Sequence, residues 1–149
     1  FWTLPPGGDP INQTIFAGDA MVTALASSDG LFAFGDKAGH LELWSHDRST
    51  IRWQGNWEVG AVMIQALAFA PDGSLVAGVD DGTVHLLDSR GVLHLHEWRA
   101  YSGSVIALAI RHDGVLATSG YHRVGIREKC MDCSEYDAEF NGTASITEL

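Results

Sequence analysis

The chain of 149 residues carries 19 acidic and nine basic side chains. The formal net charge of −10 argues against a phosphate-tracking surface, because nucleic-acid binding needs clustered lysine and arginine. Apolar residues make up 46% of the chain, which is a globular composition. The longest apolar stretch, 61–70, is too short to cross a bilayer. We therefore expect neither nucleic-acid binding nor membrane insertion.

The first element in chain order is an extended lead-in or linker over residues 1–12, predicted from the run Pro-Pro-Gly-Gly-Asp-Pro at 5–10. A repeat with a period of about 41 residues then begins. Three independent markers keep this period: a β-branched residue followed three positions later by leucine, an aromatic residue before that pair, and an Asp-Gly turn after it. The pairs are Val22/Leu25, Ile64/Leu67, Val105/Leu108 and Ile146/Leu149; the aromatic residues are Phe16, Trp57, Trp98 and Phe140; the turns are Asp29-Gly30, Asp72-Gly73 and Asp113-Gly114.

Each period is predicted to contain four short strands. In the middle unit the strands are expected at 64–69, 75–79, 83–87 and 92–98, separated by turns at 71–73, 80–82 and 89–91. Each break contains glycine, and two of them also contain aspartate, residues that adopt the backbone angles of tight turns. No helical period is sustained over ten or more residues, which favours an all-β protein.

The middle unit carries a resemblance to a known family. It reads Ile64-Gln-Ala-Leu-Ala-Phe-Ala-Pro-Asp-Gly and then Ala77-Gly-Val-Asp-Asp-Gly-Thr-Val-His-Leu-Leu-Asp, which resembles the WD repeat, and Leu41-Glu-Leu-Trp-Ser is a version of the strand that normally ends in Trp-Asp. The resemblance implies a WD-repeat-like β-propeller segment of about three four-stranded antiparallel blades. Residues 13–149 would form this partial propeller, with units at about 20–58, 59–99 and 100–140 and the start of a further blade at 144–149.

Two departures from the family pattern shape these expectations. No unit ends in Trp-Asp, since the positions read Trp44-Ser45, Leu87-Asp88 and Arg127-Glu128, and no Gly-His dipeptide precedes a first strand. We therefore expect apolar packing to hold the blades together.

Because the sequence stops within the first strand of a further unit, we also interpret the chain as part of a longer one. The propeller would be completed by further chain, a second copy or a partner.

The expected function is a non-enzymatic scaffold for protein–protein interaction, with other protein subunits as partners. In WD-repeat proteins, the rim formed by the fourth-to-first and second-to-third strand loops often receives partners. The positions of this chain that match this rim are Lys37, Asp80, Asp81, Tyr101, Tyr121, His122 and Arg123. Tyrosine, arginine and histidine combine contact area with directed hydrogen bonds, so they are suitable anchors.

Other chemistry-bearing residues have simpler readings. Cys130 and Cys133 have the spacing of half a zinc site, but no second pair exists, so two free thiols are expected rather than a metal site or a redox pair. His94 and His96 alternate on one strand and are expected on an exposed polar face. No nucleophile elbow, phosphate loop or zinc-protease motif occurs, so no catalytic residue, cofactor or metal is expected.

The compartment follows from the cysteines and the asparagines. Two cysteines cannot build a disulfide framework, which favours the cytoplasm. Glycosylation sequons at Asn12 and Asn141 support an alternative, a secreted or periplasmic propeller that binds a small ligand or metal and could act as an enzyme.

Overall fold

A computed structural model describes residue 15 and residues 18–47, 50–88 and 93–127. These residues form strands and turns; no helix occurs among them, and so none that could span a membrane. The strands are β1 (Val22–Ser28), β2 (Leu31–Asp36), β3 (His40–Asp47), β4 (Thr50–Glu58), β5 (Ile64–Phe69), β6 (Leu75–Val79), β7 (Thr83–Asp88), β8 (Leu93–Arg99), β9 (Ala107–Ile110), β10 (Leu116–Ser119) and β11 (Val124–Arg127).

The strands form three antiparallel sheets in which sequence neighbours pair. The first sheet has the order β1-β2-β3-β4, the second β5-β6-β7-β8, and the third contains β9-β10-β11 within the described residues. The Asp-Gly pair between β1 and β2 forms a two-residue hairpin, with φ of 45° at Asp29 and 78° at Gly30. Positive φ at both central residues is the backbone twist that suits a tight hairpin. In the second unit the Asp72 carboxylate instead accepts a hydrogen bond from the N–H of Ser74 within a longer turn.

The three sheets stand side by side with their first strands innermost. Strand β1 contacts β5, and β5 contacts β9, whereas the fourth strands lie farthest from these contacts. The strands predicted at 64–69 and 75–79 are confirmed at those bounds. The predicted equivalence of Val22 and Ile64 also holds, because each pairs with the last residue of its second strand next to a β-bulge. Val105 differs slightly, since it lies two residues before β9.

Adjacent sheets are joined by apolar clusters and by one close backbone approach at each junction. A β-carbon added at Gly35 of β2 would lie 2.5 Å from Cγ2 of Ile64, and one added at Gly78 of β6 would lie 2.5 Å from Cγ1 of Val105. Each glycine therefore forms a notch that receives the β-branched residue of the next sheet. The clusters around the two notches include Leu41, Leu43, Leu67 and Leu87 at the first junction and Val84, Leu86, Leu108 and Leu116 at the second.

The register identifies which residues occupy the outer faces of this row of sheets. Val22 and Leu25 match Ile64 and Leu67 of the second sheet, and we call their side of the first sheet the leading face. Val124 and Ile126 match Val84 and Leu86, and we call their side of the third sheet, which also carries Ser119, the trailing face. Leu25 is 71% exposed and Ile126 is 63% exposed, while their buried equivalents Leu67 and Leu86 are 9% and 6% exposed.

A candidate protein-interaction rim

All seven rim residues expected from the sequence lie along one edge of the sheets. In an antiparallel meander, the turn between the second and third strands and the connection to the next sheet reach the same edge. Backbone hydrogen bonds join the two kinds of loop here, from the N–H of Val59 to the carbonyl of Gly39 and from the N–H of Ala100 to the carbonyl of Gly82. We call this edge the rim. It is formed by the turns at 36–40, 79–83 and 120–123 and by the connections at 59–63 and 100–106.

Two glycines fix the rim by contact with the neighbouring connection. Gly39 and Gly82 have φ of 89° and 94°, which L-residues rarely adopt. A β-carbon at Gly39 would overlap the carbonyl oxygen of Gly60, and one at Gly82 would overlap the carbonyl oxygen of Tyr101. Because each turn packs directly on the backbone of the next connection, the turns and connections of the rim support one another.

Asp80 and Asp81 use their side chains within the loops. The Asp80 carboxylate accepts a hydrogen bond from the N–H of Met63 at 3.1 Å, and its carbonyl accepts one from the Ser104 hydroxyl at 3.0 Å. The Asp81 carboxylate accepts the N–H of Thr83 at 2.8 Å. Burial raises the pKa of Asp81, but the hydrogen bonds from Thr83 and the charge of Arg99 lower it more. The pKa of this carboxyl therefore lies below its ordinary value. Both aspartates therefore fix the conformation of the rim loops through hydrogen bonds.

The Tyr101 side chain packs against the third sheet, where its hydroxyl is hydrogen-bonded. Its hydroxyl donates to the carbonyl of Thr118 at 2.9 Å and lies 2.8 Å from the Thr118 hydroxyl. Glycines make the space: a β-carbon at Gly120 would lie 3.3 Å from the tyrosine ring, and one at Gly125 would lie 3.0 Å from its hydroxyl oxygen. The phenol end of Tyr101 thus joins the sheets, and this residue is less available to a partner than the sequence suggested.

The remaining four rim residues are exposed. Lys37 lies in the first turn, and Tyr121, His122 and Arg123 fill the turn between β10 and β11. That turn has four residues between the paired positions Ser119 and Val124, against five in the other two sheets, and a hydrogen bond from the N–H of Gly120 to the carbonyl of Arg123 closes it. The Tyr121 side chain is 75% exposed. A short, closed turn thus presents an aromatic, an imidazole and a guanidinium side by side.

Sequence reasoning missed a carboxylate–imidazole pair at the rim. Nδ1 of His40 lies 3.0 Å from the carboxylate of buried Asp36, whose other oxygen accepts the N–H groups of Ala38 and His40. Burial raises the pKa of Asp36, yet these hydrogen bonds lower it below its ordinary value overall. The hydrogen bond from His40 to Asp36 raises the pKa of His40, and the charges of Glu58 and Glu42 add to this. The four-residue spacing in Asp36-Lys-Ala-Gly-His40 was the available signal.

The structure describes some of the other residues singled out in the sequence, and the rest lie outside the described ranges. Trp57 is buried in the first junction, and Trp98 packs at the second with the Arg127 guanidinium 4.6 Å from its ring centroid. His96 stacks on Trp98 with centroids 6.1 Å apart. Within the described part of the chain, no three histidine, cysteine or acidic side chains cluster as a metal site would require. Outside it lie Asn12, Phe16, Cys130, Cys133, Phe140, Asn141, Ile146, Leu149 and the side chain of His94.

Comparison with known proteins supports the architecture. No protein-family model and no curated protein sequence matches the chain. A chain in a crystal structure of the mitotic checkpoint complex is similar, with a TM-score of 0.58 and 21% sequence identity. The match covers 66% of this chain and 31% of that one, so this chain corresponds to about a third of the solved chain's length. This likeness and the three sheets establish an all-β, WD-repeat-like propeller segment; at this identity they establish the fold alone.

Proposed function

We propose that this chain is a non-enzymatic scaffold for protein–protein interaction in the cytoplasm, within a larger propeller or a multi-subunit assembly. The observation that carries the proposal is the exposed group Tyr121, His122 and Arg123 on a four-residue turn of the third sheet that a backbone hydrogen bond closes. Aromatic and arginine side chains on a rigid base lose little conformational entropy on binding, and such residues dominate the energy of protein interfaces. The similar solved chain comes from a multi-protein complex, which is in keeping with protein partners.

The proposed partners are other protein subunits, and the row of sheets is completed by further chain, a second copy or a partner. Repeat units bury their apolar faces against neighbours, so the exposed Leu25 and Ile126 favour completion. The rim offers both signs of charge through Asp81, Lys37 and Arg123. This mixture suits a polar protein surface better than a polyanion.

Photo-crosslinking at the rim tests this function. A photoreactive amino acid replaces Tyr121 in one variant and His112 in a matched control, because His112 is also exposed but lies in the turn between β9 and β10 at the opposite edge. We expect the Tyr121 variant to form a discrete protein adduct in cells. Excess wild-type chain should compete for it, and a Tyr121→Ala/Arg123→Ala chain should not. Adducts that form equally at both positions, or at neither, would refute a partner-binding rim.

A further inference from the structure

The second junction starts with contacts from the segment that leads into the third sheet. The Ser104 hydroxyl donates a hydrogen bond to the carbonyl of Asp80 at 3.0 Å, and the N–H of Val105 donates one to the carbonyl of Val79 at 3.0 Å. The fully buried side chain of Val105 fills the notch at Gly78. Because β9 begins two residues after Val105, these contacts form without the strand pairing of the third sheet.

Leu108 adds an apolar contact three positions after Val105. It packs against the cluster of the second junction that contains Val76 and Leu86. Its Cδ1 atom lies 3.6 Å from a β-carbon built at Gly78, so the cluster adjoins the notch. One short segment thus holds the junction through a hydroxyl, a backbone N–H, a branched side chain and a leucine.

The sequence contains this segment a second time, 41 positions further on. Residues 104–108 read Ser-Val-Ile-Ala-Leu, and residues 145–149 read Ser-Ile-Thr-Glu-Leu. Both have serine, then a β-branched residue, and leucine three positions after that residue. Each segment begins 26 positions after one residue of the preceding sheet, Gly78 in the first case and Ser119 in the second. The intervening chain is therefore equally long in both cases.

Ser119 occupies the position of the notch in the third sheet. It pairs with Ala107 and Val124, and these two match the residues that pair with Gly78. Val124 is 62% exposed, whereas its equivalent Val84 is fully buried. Within the described residues, the trailing face therefore has the place of a notch without the segment that covers it.

The trailing face also has a mainly apolar groove. Ala117 and Ile126 lie in it, and they match Val76 and Leu86, which belong to the cluster that Leu108 packs against. A leucine placed as in the second junction would cover Ile126, which is 63% exposed. The other lining residues are Ala109, Ile110, Arg111 and Val115.

We propose that residues 145–149 of this chain dock on its own trailing face, with Ile146 opposite Ser119 and Leu149 in the groove. A segment tethered to its own sheet has an effective concentration of roughly millimolar, which favours it over the same segment of a second copy. The proposal rests on the part of the proposed function that concerns completion of the row, and it names the occupant at this end.

The same match assigns the Ser145 hydroxyl a partner at the rim. Asp80, whose carbonyl accepts the Ser104 hydroxyl, corresponds to Tyr121 in the third sheet. Ser145 therefore donates to the carbonyl of Tyr121 when the segment is docked. The contact does not use the Tyr121 side chain, which stays available on the rim.

Ser119 makes this junction looser than the two inner ones. A β-carbon built at Gly35 or Gly78 lies 2.5 Å from the incoming side chain, and Ser119 carries both a β-carbon and a hydroxyl. Overpacking by one or two heavy atoms weakens a fitted contact ~5-fold to ~150-fold. The docked segment therefore leaves the trailing face more readily than its counterparts leave theirs, which keeps Ile126 partly accessible.

Disulfide trapping in the 149-residue chain tests the docking. Cysteines replace Ser119 and Ile146 after Cys130→Ser and Cys133→Ser have removed the native thiols. Residues that face each other across a junction bring their β-carbons close enough for a disulfide bridge, so we expect mild oxidation to give an intrachain disulfide. In the matched control the second cysteine replaces Glu148, which strand alternation turns away from the trailing face, and we expect bridging to be about tenfold slower.

Non-reducing electrophoresis and thiol counting give the result. A monomer that has lost both free thiols supports the proposal. Equal bridging in the Glu148 control, or no bridging in a chain that circular dichroism shows to be folded, would overturn it. A disulfide-linked dimer would also overturn it, because a second copy would then cover the face. Crosslinks from Tyr121 to a partner do not require Ser119 or Ile146, so this failure is distinguishable from failure of the rim function.

Hydrogen exchange needs no cysteines and measures the effect of Ser119 itself. We expect Ser119→Gly to slow exchange of the Ile146 amide about tenfold, because relieved overpacking lowers the population of the undocked segment. Ser119→Ala is the matched control, since it keeps the β-carbon, and it should leave the rate near that of wild type. Ile146→Asp should raise exchange in residues 147–149 to the rate of an unstructured peptide. Equal rates in the Ser119→Gly and Ser119→Ala chains would contradict the role assigned to Ser119.

Discussion

At the scale of single residues, the two glycine notches control how closely neighbouring sheets approach. Gly35 and Gly78 lie on second strands, and strand interiors ordinarily disfavour glycine because it loses entropy and offers no side chain to pack. Their use at equivalent positions follows from the side chains that face them, Ile64 and Val105. Absence of a side chain on one sheet is thus matched by a branched side chain on the next.

The notch at Gly78 gives the first stability prediction. Gly78→Ala should lower the free energy of unfolding by about 1–3 kcal/mol, because the new β-carbon overlaps Val105. Adding Val105→Ala should recover part of that loss by clearing Cγ1. Gly103→Ala is the control, since no atom lies within 4 Å of a β-carbon built there. Urea denaturation measures all three, and equal effects of Gly78→Ala and Gly103→Ala would contradict the notch.

The Asp36–His40 pair predicts a pH dependence. The pKa of His40 is raised above its ordinary value of about 6.5, so its stabilising effect is complete below that pH and is lost as pH rises through the folded pKa. The pKa of Asp36 is lowered, so its contribution is present above 3.8 and is lost as pH falls through the lower folded value. The pair therefore stabilises most between these limits, in mildly acidic solution.

Thermal melts between pH 5 and 9 measure this effect. We expect the melting temperature of the wild-type chain to fall as pH rises above about 6.5, and His40→Asn to reduce that slope. His122→Asn is a control at an exposed histidine of the same rim. An unchanged slope in the His40 variant, or the same reduction in the His122 variant, would rule out the pair as its source.

At the scale of strands and connections, Tyr101 joins the β8–β9 connection to strand β10. Tyr101→Phe removes the hydroxyl that bonds to Thr118, which is 7% exposed, and should cost about 1–2 kcal/mol because it leaves buried polar groups without a partner. Amide hydrogen exchange should accelerate in Leu116–Ser119 and stay constant in Leu31–Asp36. Tyr121→Phe, at an exposed tyrosine, is expected to change neither region.

Strands of the middle unit could be predicted closely from sequence because period, turn residues and apolar runs agree there. The rim was also predictable as a set of loops, since antiparallel alternation places its turns on one edge. The packing of Tyr101 in the third sheet was not predictable. It depends on a hydrogen bond to Thr118, which is 17 residues away in the sequence, and on the space left by Gly120 and Gly125. The notches were hidden for the same reason, because contacts between sheets join residues 27 to 29 positions apart that local patterns do not relate.

At the scale of the whole molecule, the outer faces govern solubility. Leu25→Asp and Ile126→Asp together should reduce binding of a hydrophobic dye and slow aggregation while leaving the melting temperature within a few degrees, because both side chains are mainly exposed. Leu67→Asp places the same charge at the repeat-equivalent of Leu25, where the side chain is 9% exposed. We expect this control chain to unfold, since a buried unpaired carboxylate costs several kcal/mol. Similar behaviour of the two aspartate sites would contradict the assignment of inner and outer faces.

The β-bulges carry a consequence for exchanging parts of the molecule. Both four-stranded sheets shift register at matching places: the extra residue lies between Val22 and Ala24 and between Ile64 and Ala66 on the first strand, and it is Gln54 or Leu95 on the fourth strand, opposite Leu43-Trp44 and Leu86-Leu87 of the third. A bulge sets which way every later side chain points. The first and second sheets therefore share one register, so we expect a hairpin exchanged between them to keep its inward and outward residues in phase with its new neighbours.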